Sequence, residues 1–488
     1  MEIKKIPIEG ITYDQIKIEK IPATPGYKER DPELVPSENR TVVINPNRTC
    51  MPLGAMIATL GIHKAIPLVQ GAQGCTTYVR YTFCRVYKEP AVIATSSFHE
   101  DAAVFGGRKN LIEAIRNLVL RYNPEMIGVI TTCSSEIMGD DIENFIKAAQ
   151  KRLVSEVGEE KAYGIKIVPI HTPSFAGSHV KGYDNASQAY LQYVATEKTG
   201  INNKVNIIPG IITPGDIREI KHLLKEMGVE GIILFDISDT LDAPLRPPQS
   251  IPYYPRGGTK LEEIEDMANS LATFALCRDS GGSGAEYLKS KFDIPSFLGP
   301  IPIGVHNTDL FLNRLSELTG KAVPESILDE RGWLLDSMAD TFHHTMMKKV
   351  AIFGDPDVTV GVTRFVCELG MEPVAVSSGT KSPTFTQEIE EIAKEYECSP
   401  KIMNGSDLFE FEEYIRTKDI DIILGNSRGV DISKEMQVPL VRFGFPVYDR
   451  FGYQKRPIVG YRGGELLLEN IVNSIINYEY PDDRTQQL

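Results

Sequence analysis

The chain has 488 residues, 42 % hydrophobic and 24 % charged, and its 52 basic against 66 acidic side chains give a formal charge of −14. That balance fits a globular protein with sizeable cores and excludes a nonspecific nucleic-acid binder, because phosphates would be repelled. No run of about 18 apolar residues occurs and MEIKKIPIEG lacks the apolar stretch of a signal peptide, so no membrane partner and a cytoplasmic location are expected. Seven cysteines in so long a chain do not make a disulfide framework.

The length predicts about three domains. Residues 1–43 have little periodicity, and Pro22, Pro25, Pro32 and Pro36 lie among charges; an extended arm or a disordered tail is expected there. Residues 44–200 alternate between helix and strand: helix from Met51 to Leu60, strand from Ile66 to Val69, helix from Asn110 to Tyr122, strand from Met126 to Thr131, helix from Asp141 to Leu153, strand from Ile167 to Ile170. Residues 201–345 add strands at Val205–Ile208, Gly231–Phe235 and Leu271–Leu276, a helix at Gly215–Met227, and a tight turn at Gly281, Gly282 and Gly284 before a helix to Phe292. Residues 346–488 add strands at Lys349–Phe353, Pro373–Ser377, Ile420–Leu424 and Pro439–Phe443 and a helix at Asp357–Leu369. Short apolar runs between helices mark parallel sheets covered on both faces. The expected fold is α/β: three Rossmann-like, doubly wound parallel-sheet domains behind an N-terminal arm.

Three cysteines stand apart from the rest. Cys50 precedes Met51-Pro52-Leu53-Gly54, Cys75 closes Gln70-Gly71-Ala72-Gln73-Gly74, and Cys133 sits in Thr131-Thr132-Cys133-Ser134-Ser135-Glu136. Cys75, Cys133 and the stretch His171-Thr172-Pro173-Ser174 each follow a predicted strand, and Cys50 opens the helix before them. Ligands collect at such strand ends. The wide separation of the three cysteines does not match the close pairs of zinc ribbons or fingers. An iron–sulfur cluster accepts ligands from separate loops, and three thiolates leave its ligand set to be completed by another chain or ligand type. Singly, each cysteine is equally at home as a small buried hydrophobe. Cys84, Cys277, Cys367 and Cys398 are expected to be structural.

Cys50-x-Pro52-x-Gly54-Ala55, Gln73-Gly74-Cys75, Arg80, Lys88-Glu89 and Glu100-x-x-Ala103-Val104-Phe105-Gly106 resemble the β chains of nitrogenase component 1. So do Thr131-Thr132-Cys133-x-x-Glu136-x-x-Gly139-Asp140-Asp141, His171-Thr172-Pro173-Ser174-Phe175-x-Gly177-Ser178, Gly354-Asp355-Pro356-Asp357 and Arg442-x-Gly444-Phe445-Pro446-x-x-Asp449-Arg450. The resemblance runs from about residue 44 to 470. It implies an α2β2 heterotetramer that reduces dinitrogen to ammonia. An 8Fe-7S P-cluster is shared between the α and β chains, and the catalytic iron–sulfur cofactor lies in the α chain. By the same resemblance Cys50, Cys75 and Cys133 supply the β-chain thiolates of that cluster, and Ser174 matches a serine that binds iron in its oxidised form. Tyr78 matches a residue near the electron path. Phe105 matches the surface on which the ATP-hydrolysing iron protein docks. Glu89, Asp336 and Asp340 match a cation site between two β chains. Ala72 departs from the serine or glycine common at its position, and His99 stands where family types differ. The stretch from Asn206 to Phe311 resembles the vanadium- and iron-only types, so the cofactor metal stays open among molybdenum, vanadium and iron. Two other readings share these residues: a nitrogenase-like reductase of another substrate, such as a methylthio-alkane, and a scaffold for cofactor assembly. A soluble binding protein with Rossmann-like domains is the generic alternative.

Overall fold

The computed structural model describes residues 43–99, 102, 105–245 and 253–479. The expectation for the arm lies outside the described residues apart from Val43, as do Glu100, Ala103 and Val104 of the quoted motifs.

The first segment opens with α1 (Met51–Leu60), β1 (Ala65–Gln70), α2 (Gln73–Val86) and β2 (Ala94–Thr95). It continues with α3 (Arg108–Tyr122), β3 (Met126–Thr131), α4 (Cys133–Met138), α5 (Ile142–Val157), β4 (Lys166–Ile170) and α6 (His179–Val194). The strands form one parallel sheet in the order β2-β1-β3-β4. Every residue of β1 and β3 is buried, as in a sheet with helices on both faces.

The second segment contributes β5 (Val205–Ile208), α7 (Pro214–Glu226), β6 (Gly231–Ile233), β7 (Ala272–Ala275), α8 (Arg278–Phe292), β8 (Ser296–Leu298), α9 (Gly304–Thr319) and α10 (Glu325–Thr345). Its parallel sheet runs β6-β5-β7-β8. The third adds β9 (Lys349–Gly354), α11 (Pro356–Glu368), β10 (Glu372–Ser378), β11 (Lys401–Asn404), β12 (Ile422–Gly425), β13 (Leu440–Arg442) and α12 (Gly460–Glu479). Its order, β11-β10-β9-β12-β13, follows the first five strands of the classic doubly wound order 3-2-1-4-5-6. The fold class is the expected one.

A single core cluster draws residues from all three segments, from Leu53 through Phe274 to Val441. The last helix, α12, packs back on α10 of the second segment. No helix among the described residues is long and apolar enough to cross a membrane.

Two expectations need correction. Gly281, Gly282 and Gly284 form no turn; they lie inside α8. A Cβ on Gly281 would sit 2.7 Å from Ile208 Cγ2, and one on Gly284 would sit 2.8 Å from Ser187 Oγ. Glycine is used there for close approach to β5 and α6, not for a turn. Cys84 is no core residue: it is exposed on α2, whose buried face is Thr76, Val79, Phe83 and Val86.

Candidate metal centre

The first sheet reverses its strand order between β1 and β3. Crevices at such switch points, outside the carboxyl ends of the strands, are the usual ligand sites of open α/β sheets. Two of the three cysteines leave these two strands. Cys75 lies in the first turn of α2, just past β1, and Cys133 is the first residue of α4, two residues past β3. Cys50 is the N-cap of α1, in extended conformation (φ −69°, ψ 153°). All three thiols therefore sit at the positive ends of helices, where a thiolate is favoured.

The thiols lie within electrostatic reach of one another. Burial pushes the Cys50 thiol above its usual value, and Cys75 and Cys133 push it further. Burial and then Cys133 do the same to Cys75. Three thiolates at this spacing repel unless positive charge is placed among them, which is the condition a cluster of iron ions meets. Ser174 joins the set through the backbone: its Oγ accepts the Met51 N–H at 3.2 Å, next to Cys50.

Second contacts fix the three loops. Thr132 and Ser135 cap α4 reciprocally, with Thr132 N–H on Ser135 Oγ at 2.9 Å. Thr172 N–H donates to Thr131 Oγ1 at 2.7 Å, and its hydroxyl donates to the Thr131 carbonyl at 2.6 Å, so the ends of β3 and β4 are tied. His171 reaches Glu136 at 2.8 Å and Glu143 at 3.4 Å. Burial alone would lower the His171 pKa, but the two carboxylates outweigh it and raise it. A raised histidine stabilises the fold fully below its unfolded value of about 6.5 and loses that contribution as pH rises through the folded value. The thermal-stability gap between the parent and His171→Ala is therefore expected to shrink as pH rises above about 6.5; a gap constant with pH would show the pair to be inert.

Sequence reasoning missed the clamp on the Cys50 turn. Buried His179 accepts the Thr49 N–H on Nδ1 at 3.4 Å, donates its own backbone N–H to the Thr49 carbonyl at 3.1 Å, and pairs through Nε2 with Asp355 at 3.1 Å. Asp355 comes from the end of β9, so the third segment holds the first cysteine turn. The signal was present, since Asp355 lies in one quoted motif and His179 follows another directly. Gly54 and Gly182 complete the clamp: a Cβ on either would lie 1.8 Å from the His179 carbonyl or 1.9 Å from the Met51 carbonyl, respectively.

Tyr78 stands one turn beyond Cys75 and is 45 % exposed. Phe105 is 87 % exposed. Behind it, Asp140 accepts the Gly107 N–H at 3.1 Å and the Gln70 amide at 2.9 Å, which pins the Gly106-Gly107 turn to the end of β1. Glu89 is partly buried and its carboxyl is raised, first by burial and then by Asp242, with Lys455 opposing. Asp336 and Asp340 lie exposed on α10, and the three carboxylates do not form a ligand group within one described chain.

Residues 50–476 match the family described as Nitrogenase component 1 type Oxidoreductase. The chain is 49 % identical to a nitrogenase molybdenum-iron protein beta chain of Methanococcus maripaludis, over 92 % of this chain and 98 % of that one. It is 42 % identical to a nitrogenase vanadium-iron protein beta chain of Trichormus variabilis, over 92 % and 98 %. A solved structure titled nitrogenase Cp1 at pH 6.5 superposes with a TM-score of 0.88 at 39 % identity, covering 93 % of this chain and 98 % of that one. A continuous match through all three sheets, with high coverage on both sides, leaves one conclusion: the chain belongs to the nitrogenase component 1 type oxidoreductases, among their β chains.

Proposed function

We propose that this chain is the electron-relay subunit of a dinitrogen-reducing complex, holding half the ligands of a P-cluster at its boundary with an α chain. The observation that carries the reading is the meeting of Cys50, Cys75 and Cys133 at three helix N-termini around one switch point, with Ser174 beside Cys50. When bound, an 8Fe-7S cluster supplies low-potential electron storage. The chain's own residues then have defined tasks. The three cysteines ligate iron as thiolates, stabilised by the helix ends. Ser174 offers a hard oxygen donor that suits the more oxidised iron. The His179–Asp355 pair keeps the Cys50 turn rigid. Tyr78 lines the route toward the α chain, which carries the catalytic FeMo, FeV or FeFe cofactor. Glu89, Asp336 and Asp340 are proposed to bind a divalent cation between two β chains, and the complex is placed in the cytoplasm.

The complex with its α chain and the ATP-hydrolysing iron protein should convert 15N-labelled dinitrogen to labelled ammonia. Thioether reduction without labelled ammonia would select the other reductase reading, and no turnover would select the scaffold.

Phe105 is proposed as the anchor for the iron protein. An exposed aromatic at the centre of an interface contributes about 2 kcal/mol, which is about thirtyfold in affinity. Phe105→Ala should weaken iron-protein coupling to that extent while the cluster spectrum and turnover with a small-molecule reductant are retained. Loss of the cluster spectrum would make Phe105 a folding residue, and an unchanged coupling would place the docking surface elsewhere.

A further inference from the structure

Away from the three cysteines, α7 and α10 bring together Glu219, His222 and Glu330. Glu219 and His222 are three residues apart and so share one face of α7. One ligand atom from each of the three residues lies within 4.8 Å of the others. His222 Nε2 meets Glu330 Oε1 at 2.6 Å, and Arg462 Nη1 stands 3.5 Å from Glu219 Oε2. Glu219 is 3 % exposed and Glu330 8 %. Each keeps one buried carboxylate oxygen, Oε1 of Glu219 and Oε2 of Glu330, without a hydrogen-bond partner.

Such orphaned oxygens are costly in a protein interior. Nothing in the cysteine site uses them. Arg462 is half-exposed and 3.5 Å away from Glu219, so it offsets the charge of this pair weakly. Burial, with Glu330 and Asp216 adding to it, raises the Glu219 carboxyl to about 7 against the pull of Arg462 and His222. Two carboxylates with orphaned oxygens thus share a single imidazole, and the site is short of positive charge at its centre.

We propose that Glu219, His222 and Glu330 bind a divalent first-row transition-metal ion of the zinc type. One imidazole with two carboxylates is a donor set for zinc-like ions and is too nitrogen-rich for calcium or magnesium, which take oxygen ligands. The metal takes the place of the proton on His222 Nε2, which passes to solvent from a charged imidazole or to Nδ1 from a neutral one, and it gives both orphaned oxygens a partner. Three protein ligands leave a fourth position for water. The approach of ligand atoms to about 3.3 Å that a tetrahedral site demands lies within the torsional freedom of two glutamates. The ion staples α7 to α10. It also reaches the start of α12, where a Cβ on Gly460 would come within 3.0 Å of Glu219 Cγ.

The test uses the purified complex, stripped with a chelator that leaves the iron content intact and then dialysed against zinc. Zinc should bind at about one ion per copy of this chain, with an anomalous-scattering peak at the zinc edge bounded by the three side chains. Glu330→Gln, which keeps the shape, should lower bound zinc at least tenfold while iron content and dinitrogen reduction stay unchanged. His222→Gln gives the same readout if the first variant does not fold. Absence of a peak at this position after zinc loading, or zinc retained by either variant, would overturn the proposal and leave an ion-pair network.

Discussion

Cys133→Ala should strip iron from the complex and abolish most of its activity, whereas Cys367→Ala should leave both in place. Cys133 leaves β3 directly at the switch point and raises the pKa of Cys75 and Cys50 by its proximity. On the function proposed above, its loss removes one ligand from a shared cluster. Loss of a residue that merely supports a metal ligand already costs about 10- to 100-fold, so at least a tenfold fall in iron content and activity is expected. Cys367 lies buried in α11, on the third segment, and its free thiol hydrogen-bonds the free thiol of Cys398. Its truncation removes one buried sulfur and costs about 1 kcal/mol of packing. Iron content and activity of both variants, measured side by side, decide the matter. Equal iron loss from the two would contradict the assignment of Cys133 as a ligand.

The second large effect is expected at a residue with no side chain. Gly54 is where α1 lies directly on α6, with the His179 carbonyl only 1.8 Å from an added Cβ and the Tyr183 amide nitrogen 2.7 Å away. Both are backbone atoms and cannot swing aside. Gly54→Leu therefore has to separate two buried helices, at a cost of about 3 kcal/mol by the scale of overpacked cores. The same movement displaces the Cys50 turn, because Thr49, the residue before Cys50, is held through His179. Lower thermal stability and lower iron content should appear together. Gly332→Ala is the control: nothing lies within 4 Å of its added Cβ on α10, and alanine in a helix is favoured over glycine by about 1 kcal/mol. If Gly54→Leu unfolded at the parent temperature, the helix contact would be softer than its geometry requires.

The alternation of apolar strands and amphipathic helices was legible because the central strands are buried on both faces, and a run such as Met126–Thr131 has few other uses. The ends were less legible. The strand expected over Gly231–Phe235 stops at Ile233, and Phe235 turns to a positive φ of 65°, which no local pattern announces. The cysteines were legible as loop residues at strand ends, but their common position at helix N-termini depends on how far each helix starts back toward the sheet. Gly281 and Gly284 were misread because a glycine that admits a neighbouring strand or helix has the same sequence signature as a glycine that bends the chain. Cys84 was misread because the buried face of α2 is set by the sheet beneath it. The clamp of His179 and Asp355 spans 176 residues, and the pair His222 and Glu330 spans 108. No period or spacing within one element reports such partners.

The most direct test of the shared-cluster reading is iron and sulfide analysis of the chain expressed alone and copurified with its α partner. Three thiolates from this chain are only part of the ligand set. Alone, the chain should hold far less than a full complement of iron, and with the partner about eight irons per αβ pair. A full iron complement on the isolated chain would contradict the claim that the cluster is completed across the subunit boundary.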